Sequence, residues 1–161
     1  MAAVDYFLMI DGIPGESADE KHPNEIEVIS FSFGVTQAAS ASPAAGGPVG
    51  KVQFQPFSIS KRIDTASPKL FQACASGQHI KTAVLSARKT GEGSKQDFLV
   101  YRMTDVVISS YQTSGAAGEL PVDQLSLVFA QISWTYQQTM PTGGLNAPVG
   151  AGWNLVEGRQ A

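Results

Sequence analysis

Along most of this chain the apolar residues return every second position, which is the spacing of strands half-buried in a sheet, and one short segment only breaks to a helical spacing. Val4 to Ile10 is an apolar run closed by Asp11-Gly12 and Pro14-Gly15, a strand that ends in a turn. Glu25 to Val35 reads as one long strand with Ile29, Phe31, Phe33 and Val35 on one face and Ser30, Ser32 and Gly34 on the other, the second face changing character along its length because it begins with Ile26 and Val28. From Lys51 to Lys61 the apolar set is first Val52 and Phe54, then Phe57 and Ile59, so the register slips across Pro56 as at a bulge or an edge. Residues 80–89, 96–103 and 104–112 read as three further strands, the first two joined by a glycine-bearing hairpin turn at TGEGS. The longest alternating run, Asp123 to Gln137, carries Leu125, Leu127 and Phe129 on one face and Ala130, Ile132, Trp134 and Tyr136 on the other, so its apolar face changes near Ala130. At ~3.3 Å per residue such a strand is roughly 50 Å long, so it is expected to bend and serve two sheets.

The helical segment is SPKLFQACAS, residues 67–76. Ser67 is expected to cap its first turn, Pro68 suits the first helical position, and Gly77 provides the left-handed stop. Leu70, Phe71 and Cys74 are read as its docking face, because a helix this short is stable only against a sheet. Seven or eight strands and one helix give a mainly β barrel or sandwich.

Composition adds a surface to this picture. Charged residues make up 16% of the 161, where about 25% is usual, so part of the surface is expected to be covered by copies of the same chain. Length alone suits a single domain over 1–161. Residues 36–50 form an uncharged Ala/Gly/Ser/Pro loop and residues 138–151 a Gly/Pro-rich segment. A structureless connection of that first kind is either disordered or functional. The net charge of −3, with no basic cluster, argues against nucleic acid as a partner. The single cysteine forbids an internal disulfide, no apolar run is long enough for membrane insertion, and the N-terminus lacks the basic start of a cleaved signal.

Catalytic chemistry finds little to work with. RKTGEGSKQ lacks the glycine spacing of a phosphate loop, and its glycines suit a hairpin. Cys74, His79 and Asp64 could be arranged as nucleophile, base and orienter, but Cys74 belongs to the expected buried face and His79 lies past the helix stop. With His22 and His79 as the two histidines and no ligand spacing between them, no metal and no cofactor are expected. Glu25 and Glu27 share one face of a strand and read as a solvated edge, while Phe31 and Phe33 read as core.

Taken together, DGIPGES at 11–17 followed by His22, EIEVISFSFG at 25–34, KRID at 61–64, SPKLFQACASGQHI at 67–80, LSARK at 85–89 and GWN at 152–154 resemble the haemolysin co-regulated protein (Hcp) family, tube subunits of the bacterial type VI secretion system. The resemblance covers about residues 3 to 156, with the blocks in order. The resemblance implies a small β-barrel of two packed sheets with one short helix at its side, similar to phage tail-tube proteins. It implies a non-enzymatic homo-hexamer whose rings stack into a tube, expelled by a contractile sheath together with a spike, with small effector proteins in the pore. Such a protein is assembled in the bacterial cytoplasm and leaves without a cleaved signal peptide.

Set on that frame, Ser30, Ser32 and Gly34 are the candidates for the pore wall. Pro43, Gly46, Gly47, Pro48 and Val49 are those for a ring-stacking loop, and Lys69, Gln72 and Ser76 on the outer side of the helix are those for a contact between subunits. A phage or phage-like tail-tube protein and, in a different class, a monomeric β-barrel for a small ligand are the alternative readings.

Overall fold

The computed structural model describes residues 3–37, 52–90, 96–142 and 144–161. It is mainly β, with eleven strands among the described residues and one helix. The strands are β1 Ala3–Ile10, β2 Ile26–Val28, β3 Ser30–Ser32, β4 Val35–Gln37, β5 Val52–Phe54, β6 Phe57–Arg62, β7 Ile80–Thr90, β8 Asp97–Ser114, β9 Val122–Tyr136, β10 Val149–Asn154 and β11 Arg159–Gln160; the helix α1 is Ser67–Ser76.

Strand β9 organises the sheet, as its switch of apolar parity requires. Its first half pairs with β6, from Phe57 opposite Leu127 to Arg62 opposite Val122, and its second half pairs with β10. Strand β8 runs antiparallel beside it for its whole length. From β8 the sheet continues through β7, β1 and β2, while β6 carries β3 on its other edge. Only Ile29 separates β2 from β3, and its N–H donates to the Ser60 carbonyl at 2.8 Å, so the chain turns a corner there between the two arms. The result is a barrel-like wrap of one large sheet that does not close into a continuous ladder, with β4 and β5 as a separate two-stranded sheet.

Inside the wrap lie Leu8, Ile10, Ile26, Phe57, Ile59, Ala83, Leu85, Met103, Val106, Ile108, Leu125, Leu127 and Ile132. Removing these side chains from water is the main force holding the strands together. The parity change in β9 falls between Phe129 and Ile132, both buried. The slip across Pro56 is also present, since β5 ends at Phe54 and β6 begins with buried Phe57. The pair of strands expected at 96–103 and 104–112 is instead the single eighteen-residue β8, which absorbs its change of direction at Asp105, whose φ is 51°, and at a bulge between Ile108 and Ser110.

Strand 25–35 departs from expectation. It breaks into β2, β3 and β4, and two of its four supposed core residues, Ile29 and Val35, are 45% and 51% exposed. Phe31 and Phe33 remain half-buried and form an aromatic cluster with Phe57 and Tyr101. Ile29 sits on the corner between β2 and β3, where the apolar parity changes from Ile26 and Val28 to Ile29 and Phe31.

The helix stops where expected. Gly77 adopts φ 64° and its N–H points back at the carbonyls of Ala73 and Cys74. Its start is different: the cap position is Ala66, without a side-chain cap, and Ser67 is turned inward to another task. Leu70 and Ala73 are fully buried and Cys74 packs against the core from the half-buried rim. Phe71 does not dock. It is 61% exposed and meets the chain only at its edge, against Tyr111 at 6.5 Å between ring centres. At about 100° per residue Phe71 stands well off the direction set by Leu70, whereas Cys74 stays close to it.

Candidate functional site

The alternation of β3 leaves Ser30 and Ser32 on its outer face, and the ladder extends that polarity sideways across four strands. Ser32 stands opposite Ser58, Ser58 opposite Ser126, and Ser126 opposite Ser110. One step along, Ser30 stands opposite Ser60, Ser60 opposite Gln124, and Gln124 opposite Gln112. Two complete cross-strand rows are therefore paved with hydroxyl and amide groups that carry no charge. Together they line a shallow open hollow of about 360 Å³. The bulge after Ile108 brings two consecutive hydroxyls to one partner: Ser109 and Ser110 each lie 2.6 Å from the Ser126 hydroxyl. The reverse face of the same strands carries Ile59 and Leu125 of the core.

Of the three pore-wall candidates, Ser30 and Ser32 line this hollow and Gly34 does not. Gly34 lies beyond the end of β3, where an added Cβ would come within 2.9 Å of the Gln55 side chain. Six polar residues of the face were not singled out from sequence: Ser58, Ser60, Ser110, Gln112, Gln124 and Ser126. The Ser-Ile-Ser spacing of 58–60 and the Gln-Leu-Ser spacing of 124–126 carry the same every-second-residue signal as Ser30 and Ser32.

Behind this face lies a buried polar knot that fixes β6, β9 and the helix start to one another. Lys61 is fully buried, and the three N–H groups of its ammonium are shared among Asp123 Oδ2 at 2.9 Å, Asp64 Oδ1 at 2.8 Å, the Ser67 hydroxyl at 3.0 Å and the Arg62 carbonyl at 3.1 Å. Ser67 also accepts from the Asp64 N–H at 3.0 Å and donates to Asp123, which is why it is not free to cap the helix. Burial opposes the charge on Asp123, but the hydrogen bonds from Ser67 and Lys61 outweigh it and hold its carboxyl below the usual range. Asp64, considered as a partner for Cys74 and His79, is thus engaged elsewhere.

The remaining candidates are placed as follows. Lys69, Gln72 and Ser76 are all exposed on the outer side of α1, and Ser76 donates weakly to the Ala73 carbonyl at 3.4 Å. The stacking-loop candidates Pro43, Gly46, Gly47, Pro48 and Val49 lie outside the described residues. At the far end of β9, Trp134, Tyr136 and Val149 form with Gly150 and Ala151 an apolar surface hollow of about 410 Å³. No group of histidine, cysteine and carboxylate side chains suited to a metal ion occurs among the described residues, and no helix among them is long and apolar enough to cross a membrane.

Known proteins share this sequence and fold. The family model described as "Type VI secretion system effector, Hcp" matches residues 7–136. Protein hcp1 of Pseudomonas aeruginosa is 38% identical over 161 residues, covering 99% of both chains. The crystal structure of Hcp1 from Salmonella typhimurium superposes with a TM-score of 0.79 at 34% identity, over 99% of this chain and 100% of that one. A structure described as that of a type six secretion system protein reaches a TM-score of 0.92 at 31% identity, with the same coverage.

Proposed function

Because this chain belongs to the Hcp family of type VI secretion proteins, we propose that it closes into hexameric rings which stack into a tube, with the two serine- and glutamine-paved rows turned to the lumen. Tube subunit of a type VI secretion system is its role. The observation that carries the finer reading is the face itself. A surface of neutral hydroxyls and amides has neither the apolar area to bind a neighbour permanently nor the charge to select one sign of cargo. It is suited to hold folded effector proteins through many weak hydrogen bonds and bridging water, and to release them.

Exposed apolar groups elsewhere support assembly. Phe71 on the helix, Trp134 near the end of β9 and Val149 at the start of β10 are large apolar side chains in solvent, the kind a neighbouring subunit covers. A ring of equal subunits repeats one heterologous contact, so each chain must present two different faces to its neighbours. The outer helix residues Lys69 and Gln72, beside Phe71, fit the polar rim of such a contact. The same reading makes the protein a projectile without catalytic function, driven by the contractile sheath and capped by the spike, and exported without a cleaved signal.

Substituting Ser32→Gln tests the lumen assignment. It adds bulk to the paved face without charge, so rings should form as before while co-purification of pore cargo falls. Loss of the rings instead would mean that the face is an interface between subunits.

A further inference from the structure

We propose that His22 is a proton-operated clasp: as an imidazolium it ties the loop between β1 and β2 to the root of the β7–β8 hairpin through Glu25 and Asp97, and on losing its proton it loosens that tie. The observation behind this is geometric. His22 Nδ1 lies 2.8 Å from Glu25 Oε2 and its Nε2 lies 2.9 Å from Asp97 Oδ1. A neutral imidazole has one N–H, so it can donate to one carboxylate only, and its other nitrogen would then present a lone pair to the second. With both carboxylates ionised, the imidazolium alone satisfies both.

The surroundings keep the ring in place and water away from it. His22 is 6% exposed and stacks on the buried Phe7 of β1, with ring centres 4.5 Å apart and planes 8° from parallel. The charged groups around it come from every neighbouring element. Asp19 and Glu25 belong to the loop, Asp97 opens β8, Arg88 comes from β7, and Asp5 of β1 approaches Arg88 at 3.9 Å. Four carboxylates thus surround one guanidinium and the imidazole, a balance that favours the charged ring. Burial alone would lower the pKa of His22, but its hydrogen bonds to Asp97 and Glu25 outweigh burial and raise it.

The loop has a second tether that does not titrate with it. Asp19 grips Arg88 through both oxygens, at 2.8 and 2.5 Å, and this hydrogen-bonded guanidinium keeps the carboxyl far below its usual range. Inside the loop, Gly15 N–H to the Asn24 carbonyl at 2.8 Å and Ser17 N–H to the Glu25 carbonyl at 3.0 Å hold its two arms together. Opening the clasp therefore lets the loop swing about the Arg88 contact as a unit and uncovers Phe7, without unravelling the sheet.

The sign follows from the raised value. The folded chain holds the His22 proton more tightly than the unfolded chain, so the clasp acts at full strength below the ordinary histidine value of about 6.5 and is lost as the pH rises through the folded value. Mild acid tightens this corner and alkali loosens it, while stronger acid releases it again by protonating Glu25, whose carboxyl burial holds above its usual range.

Long-range nitrogen-proton correlation spectra of the intact protein, assembled as it is isolated and with its histidines isotopically labelled, report directly on the ring. At pH 6 both nitrogens of His22 should appear protonated, and its titration should lie above that of the same residue in the urea-unfolded chain. Each unit of difference is about a tenfold preference of the folded state for the proton. Amide exchange at residues 17–25, corrected for intrinsic base catalysis, should quicken by up to about tenfold through that titration if the shift is one unit. Asp97→Asn should move the titration downward and quicken the same amides already at neutral pH. A His22 titration at or below that of the unfolded chain, or loop amides indifferent to it, would overturn the proposal whether or not the variant folds.

Discussion

The ammonium of Lys61 lies 2.9 Å from Oδ2 of Asp123, directly across the β6–β9 ladder, and neither side chain reaches solvent. An ion pair in such a place stabilises only while both partners are present, because each charge alone is stranded out of water. Asp123→Ala should therefore cost about 3 to 5 kcal/mol in denaturant unfolding, whereas the double change Lys61→Met with Asp123→Leu should recover most of the loss. Since the Asp123 carboxyl is held below its unfolded value, its contribution is present above the ordinary carboxylate range near pH 4 and fades as the pH falls through the folded value. Unfolding curves should show the acid sensitivity of the parent shrink in the double variant.

The two apolar neighbours on the helix separate docking from display. Leu70→Ala empties a fully buried site and should cost about 2 to 5 kcal/mol. Phe71→Ala removes an exposed ring whose contact within the chain is an edge-on approach to Tyr111, and should cost about 1 kcal/mol or less in the isolated subunit. If Phe71 packs against a neighbour, that second variant should instead weaken association, seen as dissociation at higher protein concentration in light scattering.

Cargo held by the paved face should be insensitive to salt. None of the eight side chains in its two rows is charged, so raising the salt from about 0.05 to about 0.5 M should change cargo affinity by less than about threefold, against the steep loss expected of charge-matched surfaces. A steep decline would place the cargo contacts on other groups.

Gly15 allows the loop that carries His22 to lie against β2. A Cβ there would sit 2.5 Å from the Glu25 carbonyl oxygen and 2.7 Å from the Ile26 Cα, both backbone atoms that cannot step aside. Gly15→Ala should push the loop off the strand and cost about 1 to 3 kcal/mol, the usual range for forced overpacking, with faster amide exchange at residues 15–25 as its local signature.

How far the sequence discloses this molecule depends on the distance over which each feature is made. The double duty of β9 is written in its own residues, as a change of apolar parity that has to mean two packing partners. The polarity of Ser30 and Ser32 is equally local, and the rows they begin could have been extended by reading Ser58, Ser60, Gln124 and Ser126 in the same way. Gly77 signals the helix end because its conformation is a property of one residue. The burial of Lys61 is a different matter: its decisive partner lies 62 residues away, and nothing in KRID distinguishes a buried lysine from a strand end in solvent. His22 likewise meets Asp97 across 75 residues, so a loop histidine in a polar stretch gave no sign of its partners. Ile29 and Val35 misled because their face alone assigns them to the core, whereas the change of apolar parity from Val28 to Ile29 marks the corner where β2 gives way to β3.

Electron microscopy of the purified protein tests the central claim most directly. Ring-shaped particles of six-fold symmetry with an open centre, some stacked end to end, are the predicted result. A field of single-chain particles at tens of micromolar protein, matched by a monomer in light scattering, would contradict it.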